Sequence, residues 1–117
     1  MKKKLGLYIH IPFCERKCAY CDFYSVSDNA LIDTYLKALD KHMEGYKSSA
    51  NSYEVDTIYI GGGTPSSLTP SQIKKLFGSI RNHFCISKEA EITVEVNPHS
   101  ASKKILKALK QCKVNRL

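Results

Sequence analysis

Val55-Asp56-Thr57-Ile58-Tyr59-Ile60-Gly61-Gly62-Gly63-Thr64-Pro65 is the stretch on which the fold turns. Val55–Ile60 reads as a strand, and it runs without a spacer into three glycines and a proline, which end it. A helix follows with clear punctuation. Thr69 can cap it, Pro70 suits the first helical position, and Gln72 completes a capping box. Ile73, Leu76, Phe77, Ile80 and Phe84 then fall on one helical face.

The same strand-then-helix order repeats on both sides. Upstream, Leu5, Leu7, Ile9 and Ile11 alternate with Gly6, Tyr8 and His10, and Pro12 stops the strand. Leu31, Tyr35, Leu36, Leu39, Met43 and Tyr46 form an apolar helical stripe, with Ser27 or Asp28 where a cap is expected and Gly45 at its weak end. Downstream, Ile92, Val94 and Val96 alternate with Glu91, Thr93, Glu95 and Asn97 until Pro98. Ser100 or Ser102 opens a third helix that buries Ile105, Leu106 and Leu109, and Val114–Leu117 reads as the opening of a fourth strand.

Strands alternating with helices predict an α/β fold with a parallel sheet and right-handed crossovers. Three such units are too few to close a barrel, which takes about eight. The sequence therefore predicts half a barrel, an incomplete core domain over residues 1–117 that needs further units or a partner chain. An exposed strand edge and uncovered apolar side chains predict poor solubility or association for the chain alone.

Composition narrows the function without naming it. The 117 residues are 43% hydrophobic and 25% charged, ordinary for a globular domain. The formal net charge is +7, from 18 Lys and Arg against 11 Asp and Glu. Much of the excess lies in Lys2–Lys4 and in Lys103, Lys104, Lys107, Lys110, Lys113 and Arg116, on the solvent side of a helix. No aromatic interleaving accompanies them, so nucleic acid is not expected as a partner. Leu5–Phe13 is broken by His10 and Pro12 and lacks a cleavage site, so it is not a secretion signal, and no run has the length of a membrane span. A cytoplasmic location is expected.

Three of the five cysteines stand in Cys14-Glu15-Arg16-Lys17-Cys18-Ala19-Tyr20-Cys21, a C-x3-C-x2-C spacing that lets three thiolates converge on one centre. Such soft ligands select iron–sulfur clusters, zinc or copper(I). A [4Fe–4S] cube usually takes four cysteines, so three would leave one iron open for a ligand. The residues alone leave two alternatives standing: structural zinc with His10 as fourth ligand, and reactive surface thiols. His42 and His83 read as solvated helix residues, and Cys85 and Cys112 as packed thiols.

Strand phase adds a second pointer. Leu7, Ile9 and Ile11 share one face, so Tyr8 and His10 point the other way. Both faces of a parallel strand are normally apolar, which makes the polar row Thr93, Glu95, Asn97 unexpected. A site on that face explains it, and Glu95 stands near the strand's C-terminal end, where barrel enzymes place their chemistry. An edge strand with one wet face is the plainer alternative. The glycine triplet lets backbone approach a ligand closely, as it also serves a plain turn.

Taken in order, Tyr8-Ile9-His10-Ile11-Pro12-Phe13-Cys14, the cysteine triplet, Gly61-Gly62-Gly63-Thr64-Pro65 and Glu95-Val96-Asn97-Pro98 resemble radical S-adenosylmethionine proteins. More narrowly, they resemble the branch of oxygen-independent coproporphyrinogen III oxidase and the related haem chaperone. The resemblance covers nearly the whole chain and includes Val114-Asn115-Arg116-Leu117, while His99 stands where relatives often have glycine. It implies a [4Fe–4S] cluster on Cys14, Cys18 and Cys21, with S-adenosylmethionine chelated by the open iron and cleaved on one-electron reduction to a 5′-deoxyadenosyl radical. Tyr8, Tyr20, Gly62, Gly63, Thr64 and Glu95 are implied as the residues lining the cofactor.

The oxidase typically continues its cluster motif with glycine and a further cysteine. Here Cys21 is followed by Asp22-Phe23-Tyr24-Ser25, which resembles the haem-chaperone branch. The resemblance therefore implies haem or porphyrin as ligand, an apo-haemoprotein as client, and a reductant such as flavodoxin or ferredoxin. Porphyrinogen oxidation and a zinc-stabilised binding module are the alternatives. Enzymatic activity stays open: longer relatives are expected to cleave S-adenosylmethionine, and the 117-residue chain alone is not.

Overall fold

A computed structural model describes residues 3–12, 29–46, 52–63, 68–97 and 102–117. Three parallel strands, β1 (Lys3–Ile11), β2 (Tyr53–Gly62) and β3 (Ile86–Val94), form one sheet in the order β1-β2-β3. They alternate with α1 (Asn29–Glu44), α2 (Pro70–His83) and α3 (Lys103–Gln111), the α/β arrangement that the sequence predicts.

The core lies on one face of the sheet. Ile9 and Ile11 of β1, Ile58 and Ile60 of β2, and Ile92 and Val94 of β3 are buried against Leu36, Met43, Ile73, Leu76, Phe77 and Ile80 of the helices. Each such side chain gains roughly 1.5–3 kcal/mol from leaving water, enough to hold the helices on this face. The facing residues Tyr8 and Tyr59 stay exposed.

Register is regular toward the C-terminal ends of the strands and broken at the other end. Leu5 lies opposite Val55, but Gly6 lies opposite Thr57, so Asp56 is an extra residue in β2. Between β2 and β3 the pairing jumps from Val55–Ile86 to Thr57–Glu91. This is the geometry of a β-bulge.

The helix termini follow local chemistry. Thr69 accepts from the backbone N–H of Gln72, and the Gln72 side chain accepts from the backbone N–H of Thr69, completing the expected capping box. Ser102, rather than Ser100, caps α3. That helix ends with Lys113 at φ 70°, where the N–H of Lys113 donates to Lys110 and that of Val114 to Leu109. Arg81 donates to the Cys112 carbonyl and ties α2 to this end.

Beyond it, Arg116 makes a parallel bridge to Thr93, in line with the fourth strand read from Val114–Leu117. Asn115 secures the junction: its Nδ2 donates to the Ala90 carbonyl at 2.9 Å, and its Oδ1 accepts from the Ile92 N–H at 2.8 Å.

Several side chains depart from the expected faces. In α1, Ile32 is buried while Leu31 is exposed, and Tyr46, two residues past the helix end, is exposed as well, because the stripe rotates with the helix rather than keeping to the largest residues. In α3, Ala108 takes the inward place and Leu106 is exposed. His83 is buried, not solvated: its Nε2 meets the Asp40 carboxylate of α1 at 3.0 Å. His42 is exposed and packs its ring against Tyr46. Cys85 is exposed, and Cys112 is the half-buried thiol of the pair, pushed up in pKa by burial.

Candidate functional site

The C-terminal ends of the three strands bring together Tyr8 and His10 from β1, Tyr59, Gly61 and Gly62 from β2, and Glu95 just past β3. In register, Tyr8 stands beside Tyr59, and Tyr59 beside Thr93. The two tyrosine rings stack with centroids 5.8 Å apart and planes 16° from parallel. Tyr8 Oη lies 3.4 Å from His10 Nδ1. All three rings occupy the face opposite the buried isoleucines, as strand phase predicts for Tyr8 and His10.

Glu95 is held at three points. Its N–H donates to the Ile60 carbonyl at 3.0 Å, which extends the ladder past the last residue of β3. Its Oε1 accepts from the Gly62 N–H and its Oε2 from the Tyr59 hydroxyl, both at 2.9 Å. The hydrogen bond to Glu95 is the leading reason that the Tyr59 phenol is pushed above its ordinary pKa.

The glycines make room for this carboxylate. A Cβ on Gly61 would come within 2.6 Å of Glu95 Oε1 and 2.9 Å of the Tyr59 ring. Gly62 has φ +116°, and a Cβ there would lie 2.6 Å from the Ile11 carbonyl oxygen. The glycines thus serve close approach and a backbone turn that side chains resist. The Gly63 N–H closes the loop onto the Ile11 carbonyl at 2.8 Å.

The strand end that leads toward the cysteine segment is also fixed. The Tyr35 hydroxyl of α1 donates to the His10 carbonyl, two residues before Pro12. Tyr35 was readable only as part of an apolar stripe, and Tyr59 only as a strand residue. Neither carries a signal for these contacts, which depend on register and helix placement.

Of the residues proposed to line a cofactor, Tyr8, Gly62, Gly63 and Glu95 gather here. Tyr20, Thr64 and the cysteines Cys14, Cys18 and Cys21 lie outside the described residues. Among the described residues no group of three metal-ligating side chains converges. No helix among them is long and apolar enough to cross a membrane.

The carboxylate can accept further hydrogen bonds from hydroxyl or ammonium groups, since each oxygen has used one of its sites. The exposed tyrosine ring offers its face to a cation. The surface therefore suits a polar ligand that carries both donors and positive charge.

Comparison with known proteins gives a consistent result. The sequence profile of the Radical SAM superfamily matches residues 8–117. The heme chaperone HemW of Buchnera aphidicola subsp. Schizaphis graminum is 43% identical over 114 residues, covering 96% of this chain and 30% of that protein. HemW of Bacillus subtilis is 44% identical over 113 residues, covering 94% and 30%. The solved structure of coproporphyrinogen III oxidase (HemN) from Escherichia coli, described as a radical SAM enzyme, superimposes with a TM-score of 0.91 at 32% identity. It aligns with 99% of this chain and 27% of that one. The chain thus spans about 30% of the length of the curated relatives it matches.

Proposed function

Because the chain belongs to the Radical SAM superfamily, we propose that it holds a [4Fe–4S] cluster on Cys14, Cys18 and Cys21 and binds S-adenosylmethionine on the strand ends beside it. The observation that carries this reading is the Glu95 carboxylate, held by the Gly62 N–H and the Tyr59 hydroxyl. S-adenosylmethionine combines ribose hydroxyls and an ammonium group with a sulfonium cation. Glu95 offers acceptors to the first two, and the exposed face of Tyr8 suits the third.

When bound, the cluster supplies the single electron that opens the sulfonium. The chain's own residues orient and enclose. Gly62 and Gly63 bring backbone to the ligand, Glu95 accepts its donors, and Tyr35 steadies the strand end before the cysteines. Tyr20 and Thr64 complete the lining in this reading.

The function in which we place this chemistry is haem binding and delivery to apo-proteins. It is supported by the two HemW relatives above 40% identity and by Asp22-Phe23 directly after Cys21. The oxidase reading draws on the likeness to HemN.

Anaerobic reconstitution with iron and sulfide tests the cluster. We expect about four irons per chain and broad visible absorption. Each of Cys14→Ala, Cys18→Ala and Cys21→Ala should abolish it, and Cys85→Ala and Cys112→Ala should not. Stoichiometric zinc without iron would sink the proposal. In a protein extended to the relatives' length, haem binding with transfer to an apo-protein supports the chaperone, and decarboxylation of coproporphyrinogen III supports the oxidase.

A further inference from the structure

We propose that Tyr59 is the positioning residue of this site: its hydroxyl sets the Glu95 carboxylate and its ring sets Tyr8, so one side chain on the central strand orders both. The proposal rests on the reading of Glu95 and Tyr8 as cofactor contacts.

Tyr59 occupies the middle of the row Tyr8, Tyr59, Thr93 across the sheet. On one side its ring lies nearly flat against Tyr8. On the other its hydroxyl reaches past Thr93 to the residue two steps further along, Glu95. That diagonal is within reach of a long aromatic side chain on a strand.

Glu95 needs such a partner. It is exposed, it stands beyond the last residue of β3, and its side chain has three rotatable torsions. The Gly62 N–H fixes only Oε1. Without a donor on Oε2 the carboxylate could pivot about that single bond, and ligand binding would then have to order it. Tyr59 supplies the second point, and two points fix the carboxylate plane.

Phenylalanine would keep the stack on Tyr8 and lose the bond to Glu95, which separates the two duties of this side chain.

The test is equilibrium binding of S-adenosylmethionine to the anaerobically reconstituted protein, extended to the relatives' length, with iron content measured in parallel. Tyr59→Phe should weaken binding about fivefold, on the scale of one ordinary hydrogen bond. Tyr59→Leu, which also removes the stack, should weaken it further. In a Glu95→Gln background, Tyr59→Phe should add less than about twofold, the non-additivity expected of a residue acting through its partner. Iron content should not change in any variant.

Unchanged affinity in Tyr59→Phe, or losses that simply add, would overturn the positioning role while leaving Glu95 in the site. Unchanged affinity in Glu95→Gln would remove the site reading and the proposal with it. A second measurement needs no cofactor. Tyrosinate absorption of the cofactor-free chain should reveal phenols that ionise above the ordinary range, Tyr59 through its bond to Glu95 and Tyr35 through burial. Tyr59→Phe should delete one of them and leave the other, and Glu95→Gln should lower the one that Tyr59→Phe deletes. If Glu95→Gln leaves every tyrosine where it was, the bond is not made in solution and the proposal falls.

Discussion

His83 Nε2 lies 3.0 Å from the Asp40 carboxylate across the seam between α1 and α2, with the histidine buried and the aspartate partly exposed. Hydrogen bonds from Ser79 and then His83 hold the Asp40 carboxyl below the usual carboxylate range. A carboxyl whose pKa is lowered by folding contributes its full stability above the unfolded value. That contribution is lost as pH falls through the folded value. Thermal melts from neutral to acid pH should therefore show Asp40→Asn and the parent chain converging below the ordinary aspartate range. At neutral pH, His83→Ala, which also empties a buried position, should cost about 2–4 kcal/mol.

Two glycines should respond oppositely to alanine. Gly62→Ala places a Cβ 2.6 Å from the Ile11 oxygen at a positive φ, and should cost about 1–3 kcal/mol. Gly78 stands inside α2 with nothing within 4 Å of a built Cβ, so Gly78→Ala should stabilise by about 0.5–1 kcal/mol. Urea unfolding of both variants under one condition checks the pair. A Gly62→Ala chain as stable as the parent would contradict the turn described here.

Lys113 closes α3 in the left-handed conformation at φ 70°, a position that glycine fills more cheaply. Lys113→Gly should raise stability by about 0.5 kcal/mol, the relief of backbone strain being partly offset by the freer unfolded chain. A denaturant midpoint that falls in this variant would show that the lysine side chain stabilises the turn by a contact of its own.

The local signals in the sequence were the readable ones. Thr69, Pro70 and Gln72 announced the start of α2 because capping chemistry needs only neighbours. Alternation in Leu5–Ile11 announced both the strand and the outward turn of Tyr8 and His10, since pleat alone fixes the side. The polar row through Glu95 marked the right face. Contacts across the chain were hidden. Asp40 and His83 lie 43 residues apart and meet only once α1 and α2 pack. Tyr59 and Glu95 lie 36 apart, and their bond depends on the register of β2 against β3. The early start of β3 at Ile86 is not legible in the sequence, because Lys88 and Glu89 interrupt any apolar pattern there.

Val55 and Ile58 lie three residues apart, an odd separation for two side chains that are both buried on a strand. The extra residue at Asp56 reconciles them, and it sits far from Glu95. The lower end of the sheet thus acts as slack in the chain. An insertion at Asp56 or within 87–90 lengthens a stretch already out of step, and leaves Tyr8, Tyr59 and Thr93 abreast with Glu95 two residues beyond. The same insertion between Thr57 and Ile58 would turn Ile58 and Ile60 into water and Tyr59 into the core if the bulge did not absorb it, because the two sides of a strand exchange with every single step. Changes of length in diverging copies of this chain should therefore collect below the bulge, so that the upper row is inherited as a fixed alignment on a sheet whose other end is free to vary.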